Sequence, residues 1–380
     1  MASAAGVASA DVPAAPFGGA PEVPIWKRVE AHGYVDVYAA YNANRPADGA
    51  SFLPGTGTTA KRAGEIGLGQ AALGVSLDPA PVGFNLTLHV GSGATILHEA
   101  EPVGPGLGPG AWNLVQRATV AGKVPIGRGL IVEAGIMPSH LGFEGYASQG
   151  NWSYTRSWMA EYSPYFQTGV RLEYEVAPAF TAGLYLVNGW QTVGDVNRGK
   201  SVGARLAYEG ERLIVAIAGL AGPEQPNDDT SVRAIADLHA VVKATGWLRL
   251  AAAVDVGVDH RSPSRALVPG EDAAAGVPSA AGWYGVAGYA RAAVLPFLSV
   301  AARGEVFGDP RGAVSAYGQR IVEGTFTLEG RPHEAIVIKL EGRYDRSTTP
   351  VFGLSRLLAS ATPDRGRDQA LVVLGAVARF

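Results

Sequence analysis

The chain has no cysteine, which excludes a disulfide framework and any thiolate metal site. Charge is scarce: 17% of residues are Asp, Glu, Lys or Arg, against about 25% in an average soluble domain. A net charge of −3 provides no electrostatic footprint for nucleic acid. Long apolar runs are missing as well. The stretches free of polar residues stop at about eleven, as in Leu213 to Pro223, and a membrane-spanning helix needs about 18 or more. What is abundant is small and apolar. Hydrophobic residues make up 47% of the chain, and Gly and Pro together supply 76 of 380 residues, yet mean hydropathy is only +0.10. Low charge with an ordinary apolar load argues against disorder.

The first segment, Ala2 to Pro24, is built from Ala, Pro, Gly and Val. It lacks a basic n-region and an apolar h-region, although Ala8-Ser9-Ala10 before Asp11 resembles the small-residue end of a secretory leader. Residues 1–30 are therefore expected to be a flexible tail or leader remnant, with one domain over 31–380. In that domain the dominant signal has period two. Phe84 to Val90, Phe166 to Val176, Leu248 to Val256 and Ile336 to Tyr344 all alternate apolar and polar residues. Side chains of a strand point alternately to its two faces, so each segment has one apolar and one polar face. No long segment carries a 3.6 period, and the chain reads as all-β.

The spacing predicts about sixteen strands: 32–42, 65–76, 83–91, 112–122, 129–137, 165–176, 180–189, 200–209, 212–220, 232–243, 247–258, 283–294, 297–307, 320–329, 335–345 and 369–380. Most have the 9–11 residues or so that cross a bilayer when tilted. Short connections (near 79–81, 125–127, 177–179, 210–211, 245–246, 295–296 and 331–332) alternate with long ones (43–64, 92–111, 138–164, 190–199, 221–231, 259–282, 308–319 and 346–368). That is the layout of a transmembrane antiparallel up-and-down barrel with short periplasmic turns and long extracellular loops. Aromatics near strand ends fit two girdles: Phe180, Tyr208, Trp247, Phe297 and Phe380 on the short-turn side, Trp112, Tyr165, Trp190 and Trp283 on the other. The last strand ends on Phe380, an aromatic end similar to the C-terminal signal of bacterial outer-membrane barrels.

At these residues the sequence resembles the OmpL-like β-barrel porins of Gram-negative outer membranes. The resemblance runs from Gly33-Tyr34-Val35-Asp36 to the C-terminus. It is densest over Glu133 to Glu144, Asn151 to Ser157, Thr168 to Arg171, Val187 to Trp190, Asn197 to Ser201 and Arg303 to Asp309. Ile136 stands where the family often has a basic residue, and Gln167 where His is common. The resemblance implies a channel in the bacterial outer membrane, with the lipid bilayer and small hydrophilic solutes as partners. Trimers are expected by analogy with other sixteen-strand porins.

About sixteen strands leave an aqueous lumen. By alternation its wall includes Glu133, Arg171, Glu173, Glu175, Arg205, Arg233, Asp237, Arg249, Asp255, Arg303, Glu305, Lys339, Glu341 and Arg343. These either bias ion passage or are simply solvated. The third long loop, about 138–164, is the expected constriction, through Glu144, Arg156 and Glu161 among Tyr146, Trp152, Tyr154, Trp158 and Tyr162. Its aromatics call for burial; an extracellular cap or a subunit contact would satisfy them equally.

No catalytic residue, metal ligand or cofactor is assigned. The seven histidines are scattered, and none forms the i, i+4 pair of a zinc helix. Gly194 to Ser201 matches the P-loop spacing, but a phosphate cradle needs a helix after it. The next residues, Val202 to Tyr208, alternate as a strand. The expected function is passive diffusion of small hydrophilic solutes or ions. The alternatives are an outer-membrane barrel working as receptor, adhesin or hydrolase through its loops, and a soluble all-β binding protein.

Overall fold

In the computed structural model, residues 24–260, 280–355 and 364–380 are described, apart from 105 and 107. The strands are β1 (Glu30–Asn42), β2 (Ile66–Leu77), β3 (Val82–Val90), β4 (Val115–Val124), β5 (Leu130–Pro138), β6 (Phe166–Ala177), β7 (Phe180–Val187), β8 (Ser201–Glu209), β9 (Leu213–Gln225), β10 (Asp228–Lys243), β11 (Leu248–Asp259), β12 (Ala281–Leu295), β13 (Leu298–Asp309), β14 (Gln319–His333), β15 (Ile336–Ser347), β16 (Phe352–Gly353), β17 (Arg365–Gly366) and β18 (Asp368–Arg379). All but β16 and β17 form one closed antiparallel barrel of sixteen strands, each paired with its neighbour in the chain. β18 pairs with β15 and with β1, which closes the ring. The wall thus pairs its backbone groups within one edgeless sheet, as a bilayer demands. At the seam Gly33 and Phe380 exchange both backbone hydrogen bonds.

The side-chain pattern is inside out. On β15, Ile336, Ile338, Leu340 and Tyr344 are exposed on the outer surface, whereas Lys339, Glu341, Arg343 and Asp345 are buried inside. A one-residue slip would send those four ionisable groups into lipid, so register is strongly fixed. Crossing is by strands alone: among the described residues no helix is long and apolar enough to cross.

Each of the sixteen expected segments corresponds to a barrel strand. The largest shift is at 221–231, where a long loop is expected from the sequence. Instead β9 and β10 extend and meet in a tight turn at Pro226-Asn227, with Asn227 in the left-handed region at φ 57°, a conformation Asn tolerates. β4 starts later than expected because Pro109–Trp112 forms a helical turn. The other short α-helices among the described residues are Ser92–Leu97 and Trp158–Glu161, with single 3-10 turns at Ile25–Lys27 and Ser148–Gly150. The expected N-terminal tail lies largely in residues 1–23, outside the described residues.

The girdle expectation needs correction at the long-loop end. Phe180, Trp247, Phe297 and Phe380 are exposed at the short-turn end. Tyr165 and Trp283, however, are buried, and Trp190 packs edge-on against Trp283 at 5.9 Å. Trp283 shares strand parity with the buried Ala287 and Tyr289, so its ring faces inward. The exposed aromatics of that end are Tyr41, Tyr284 and Tyr344.

Candidate functional site: a lumen crossed by the third loop

The loop joining β5 to β6, residues 139–165, turns into the barrel and lies against the opposite wall. Its path is set by charges on that wall. Lys339 donates from Nζ to the carbonyls of Ser148 (2.8 Å) and Asn151 (2.5 Å). Glu341 accepts from the backbone N–H groups of Tyr154 (2.5 Å) and Thr155 (3.1 Å) and from the Thr155 hydroxyl (2.5 Å). Arg343 donates to the Arg156 carbonyl at 2.5 Å, and Arg303 to the Thr155 carbonyl at 2.7 Å. One turn further on, Glu305 accepts from the N–H groups of Trp158 (2.6 Å) and Met159 (2.7 Å), and Asp345 from the Trp158 indole (2.6 Å). From β1, Asp36 accepts from the hydroxyls of Tyr154 (2.7 Å) and Ser148 (2.5 Å). Asp255 on β11 accepts from Ser163 at 2.7 Å.

This arrangement solves a backbone problem. A loop inside a barrel has no ladder to satisfy its amides and carbonyls, and an unpaired buried polar group is expensive. Carboxylates from the wall take the loop's N–H groups, and ammonium and guanidinium groups take its carbonyls. The charges are compensated in turn: Arg303 pairs with Glu144 at 2.8 Å and Glu323 at 3.0 Å, and Arg343 with Asp345 at 2.9 Å. Shape fits as well. A Cβ on Gly375 would sit 2.1 Å from the Tyr154 ring, so that glycine provides the slot into which the ring packs.

The loop is covered from the long-loop side by the connection 43–65, in which Leu53 and Ala60 are fully buried. Phe52 packs on Trp158 at 5.8 Å, and Glu161 accepts from the Gly57 N–H at 2.8 Å and the Thr58 hydroxyl at 3.0 Å. Lys61 donates to the carbonyls of Leu53 and Thr56; burial holds its ammonium below the usual lysine range, with Glu161 opposing that shift. Burial likewise pushes the Tyr162 phenol well above its ordinary value, helped by Asp309 and Glu161.

The residues expected to line the lumen fall into two groups. Arg303, Glu305, Lys339, Glu341 and Arg343, with Asp237 and Asp255, are at most 3% exposed and lie against the third loop or beneath it. Arg171, Glu173, Glu175, Arg205, Arg233 and Arg249 keep access to water. Glu133 is buried between Arg117 (2.7 Å) and Arg171 (2.6 Å). The three loop charges do not face an opening: Glu144, Arg156 and Glu161 are at most 5% exposed. Glu144 holds the backbone N–H and hydroxyl of Ser157, Glu161 ties the Tyr165 hydroxyl to the covering connection at Gly57 and Thr58, and the Arg156 guanidinium lies 4.5 Å over the Tyr165 ring. Alternation could not separate solvated from loop-bound positions, because it reports only the face of the wall. It also passed over Asp36, Glu323 and Asp345, inward acids on β1, β14 and β15; the signal was an acid at an inward position in a strand facing an aromatic-rich loop.

At the long-loop mouth a cavity of about 510 Å³ is lined by Trp190, Gln191, Glu224 and Arg233 among others. The P-loop-like stretch lies beside it with no helix after it; Ser201 opens β8, and Lys200 pairs with Asp195. Among the described residues no group of three or more His, Asp or Glu side chains could hold a metal ion.

Comparison with known proteins agrees with this geometry. No curated protein matches the chain. In fold it is similar to the anion-selective porin from Comamonas acidovorans (TM-score 0.58, 13% identity, 93% of this chain and 99% of that one). It is similar too to the trimer form of the outer membrane protein OmpT of Vibrio cholerae (TM-score 0.58, 10% identity, 93% and 99%). The outer membrane channel DcaP of Acinetobacter baumannii matches at a TM-score of 0.57 with 11% identity, over 93% and 97%. At such identities these likenesses show the fold. The family model described as "Putative beta-barrel porin-2, OmpL-like" matches residues 28–380. The chain therefore belongs to that family, as a porin-like barrel of the bacterial outer membrane for passive diffusion.

Proposed function

We propose that small hydrophilic solutes cross this barrel by diffusion through a lumen narrowed by residues 139–165, without covalent chemistry. The observation that carries the reading is the fixed path of that loop across the interior, tied to β1, β11, β13 and β15. Solutes pass between the loop and the wall of β4 to β8, where Arg117, Arg171, Glu173 and Arg205 reach water. Glu144, Arg156 and Glu161 act at one remove, by holding the loop in position. The mechanism is steric exclusion plus a charge bias from the accessible wall. An enzymatic barrel is the less supported reading: the ionisable groups buried where the loop lands are committed to loop backbone or to one another.

Removal of residues 145–157 tests the constriction. It frees the inner faces of β13 and β15 to water, so single-channel conductance in planar bilayers should rise, and liposomes should admit larger sugars. Unchanged conductance would remove this loop from the constriction. A homotrimer is the expected assembly, by analogy with the trimer form of the Vibrio cholerae protein; native mass measurement in detergent at one or three times 39.3 kDa decides it.

A further inference from the structure

We propose that the short-turn end of the lumen, directly beneath the third loop, is a binding site for oxyanion-bearing solutes, meaning small molecules with carboxylate or phosphate groups. This inference rests on the channel reading above and names the class of solute the channel favours.

The site begins with an oddity of register. Lys243 on β10 is paired with Arg249 on β11, and Arg249 with Arg291 on β12. All three have the inward parity of their strands. Their neighbours Val242 and Leu250 are exposed on the lipid face, while Ala251 and Tyr289, two residues from Arg249 and Arg291, are buried inside. Three cations thus stand side by side across three strands, and like charges directly opposite one another destabilise a sheet. On β13 the position paired with Arg291 is Ala301, and beyond it Arg331 on β14 and Lys339 on β15 join the group through a shared acid. A single buried acid serves this end of the row: Glu329 accepts from Arg291 at 2.5 Å and Arg331 at 2.7 Å and lies 3.4 Å from Lys339. Glu329 is only 2% exposed and already engaged. Among the described residues no carboxylate pairs with Lys243 or Arg249, and both are exposed.

Fold stability explains only part of the row. Lys339 is needed to hold Ser148 and Asn151, and Arg331 reaches the Gln149 carbonyl at 3.4 Å. Lys243 and Arg249 hold nothing. Elsewhere the interior acids are withdrawn from water: Glu133, Glu305, Glu323, Glu341, Asp237, Asp255 and Asp345 are at most 3% exposed. The water-accessible acids of the wall, Glu173 and Glu175 on β6 and Glu209 on β8, already face Arg171, Arg128 and Arg205. The accessible charge on the β10 to β12 wall is therefore positive and uncompensated, inside a low-dielectric wall that concentrates its field. Guanidinium forks match carboxylate and phosphate oxygens two at a time, and basic rings are the usual device of anion and phosphate pores.

The test pairs conduction with binding. Reversal potentials in a KCl gradient should show chloride preferred over potassium. In the double variant K243Q/R249Q that ratio should fall about threefold or more toward unity. R346Q, at the far end of the barrel, should leave the ratio as it is. Titration calorimetry on the detergent-folded barrel should show saturable binding of succinate, of inorganic phosphate or of both, weakened at least about tenfold in the double variant. Succinate alone would mark a carboxylate site and phosphate alone a phosphate site. Binding without any conductance would support the site and overturn the channel reading. Cation preference, an unchanged ratio in a double variant that still shows folded gel mobility, or no binding of either anion would each overturn the inference.

Discussion

Glu341→Ala tests whether the wall, rather than the loop itself, sets the lumen. The carboxylate accepts three hydrogen bonds from residues 154–155 and one, at 2.9 Å, from the Thr327 hydroxyl. A hydrogen bond to a charged group contributes about 1.5–3 kcal/mol, and stranding the buried Tyr154 and Thr155 amides adds to the loss. The contributions overlap, so we take about 3 kcal/mol for the whole group, the upper end of the range for a single bond. At about 1.4 kcal/mol per tenfold this raises the population of the detached loop roughly a hundredfold. The strand ladder is untouched: β15 keeps its pairing with β14 and β18 along its length. The barrel should therefore retain its heat-modifiable mobility, while single-channel traces gain open-state noise and brief excursions to higher conductance. Limited proteolysis within 145–157 should accelerate by a similar factor. Glu341→Gln keeps one acceptor oxygen and should fall between. Traces and cleavage rates equal to wild type in a folded Glu341→Ala barrel would refute the argument that wall carboxylates hold the loop.

Gly375→Val should produce the same phenotype from the shape side. Its Cβ would lie 2.1 Å from the Tyr154 ring, so the ring must leave its slot; conductance noise and proteolysis report it, and a quiet, protected loop would deny the slot its role. On the lipid face, Leu374→Arg near the middle of β18 should lower barrel stability by about 2–4 kcal/mol, the depth-dependent penalty for a cation at the bilayer midplane. On the lumen face, Thr181→Arg, at an inward position of β7 paired with Glu175, should change stability by less than half of that, which urea unfolding in lipid bilayers would measure.

The wall of this protein was legible in its sequence because a strand codes its two environments locally. Ile336, Ile338 and Leu340 alternating with Val337, Lys339 and Glu341 state the face, and the face needs no knowledge of distant residues. The same two-residue code is silent on how far into the lumen a side chain meets water. Lys339 and Arg249 look alike in it: both are cations at inward positions. One is buried because Ser148, nearly two hundred residues earlier, returns to it through the folded third loop; the other is exposed because nothing does. The difference is tertiary, and it runs in the direction opposite to simple solvation. Where the loop lands, inward charges become structural, since an internal loop can satisfy its backbone only against ionic or polar side chains. Where it does not land, they stay available to solutes. An inward charge can thus be sorted only by asking which backbone it would serve. An inward cation that serves none, and has an inward cation on the neighbouring strand, is the one whose presence must be explained by what passes through the pore.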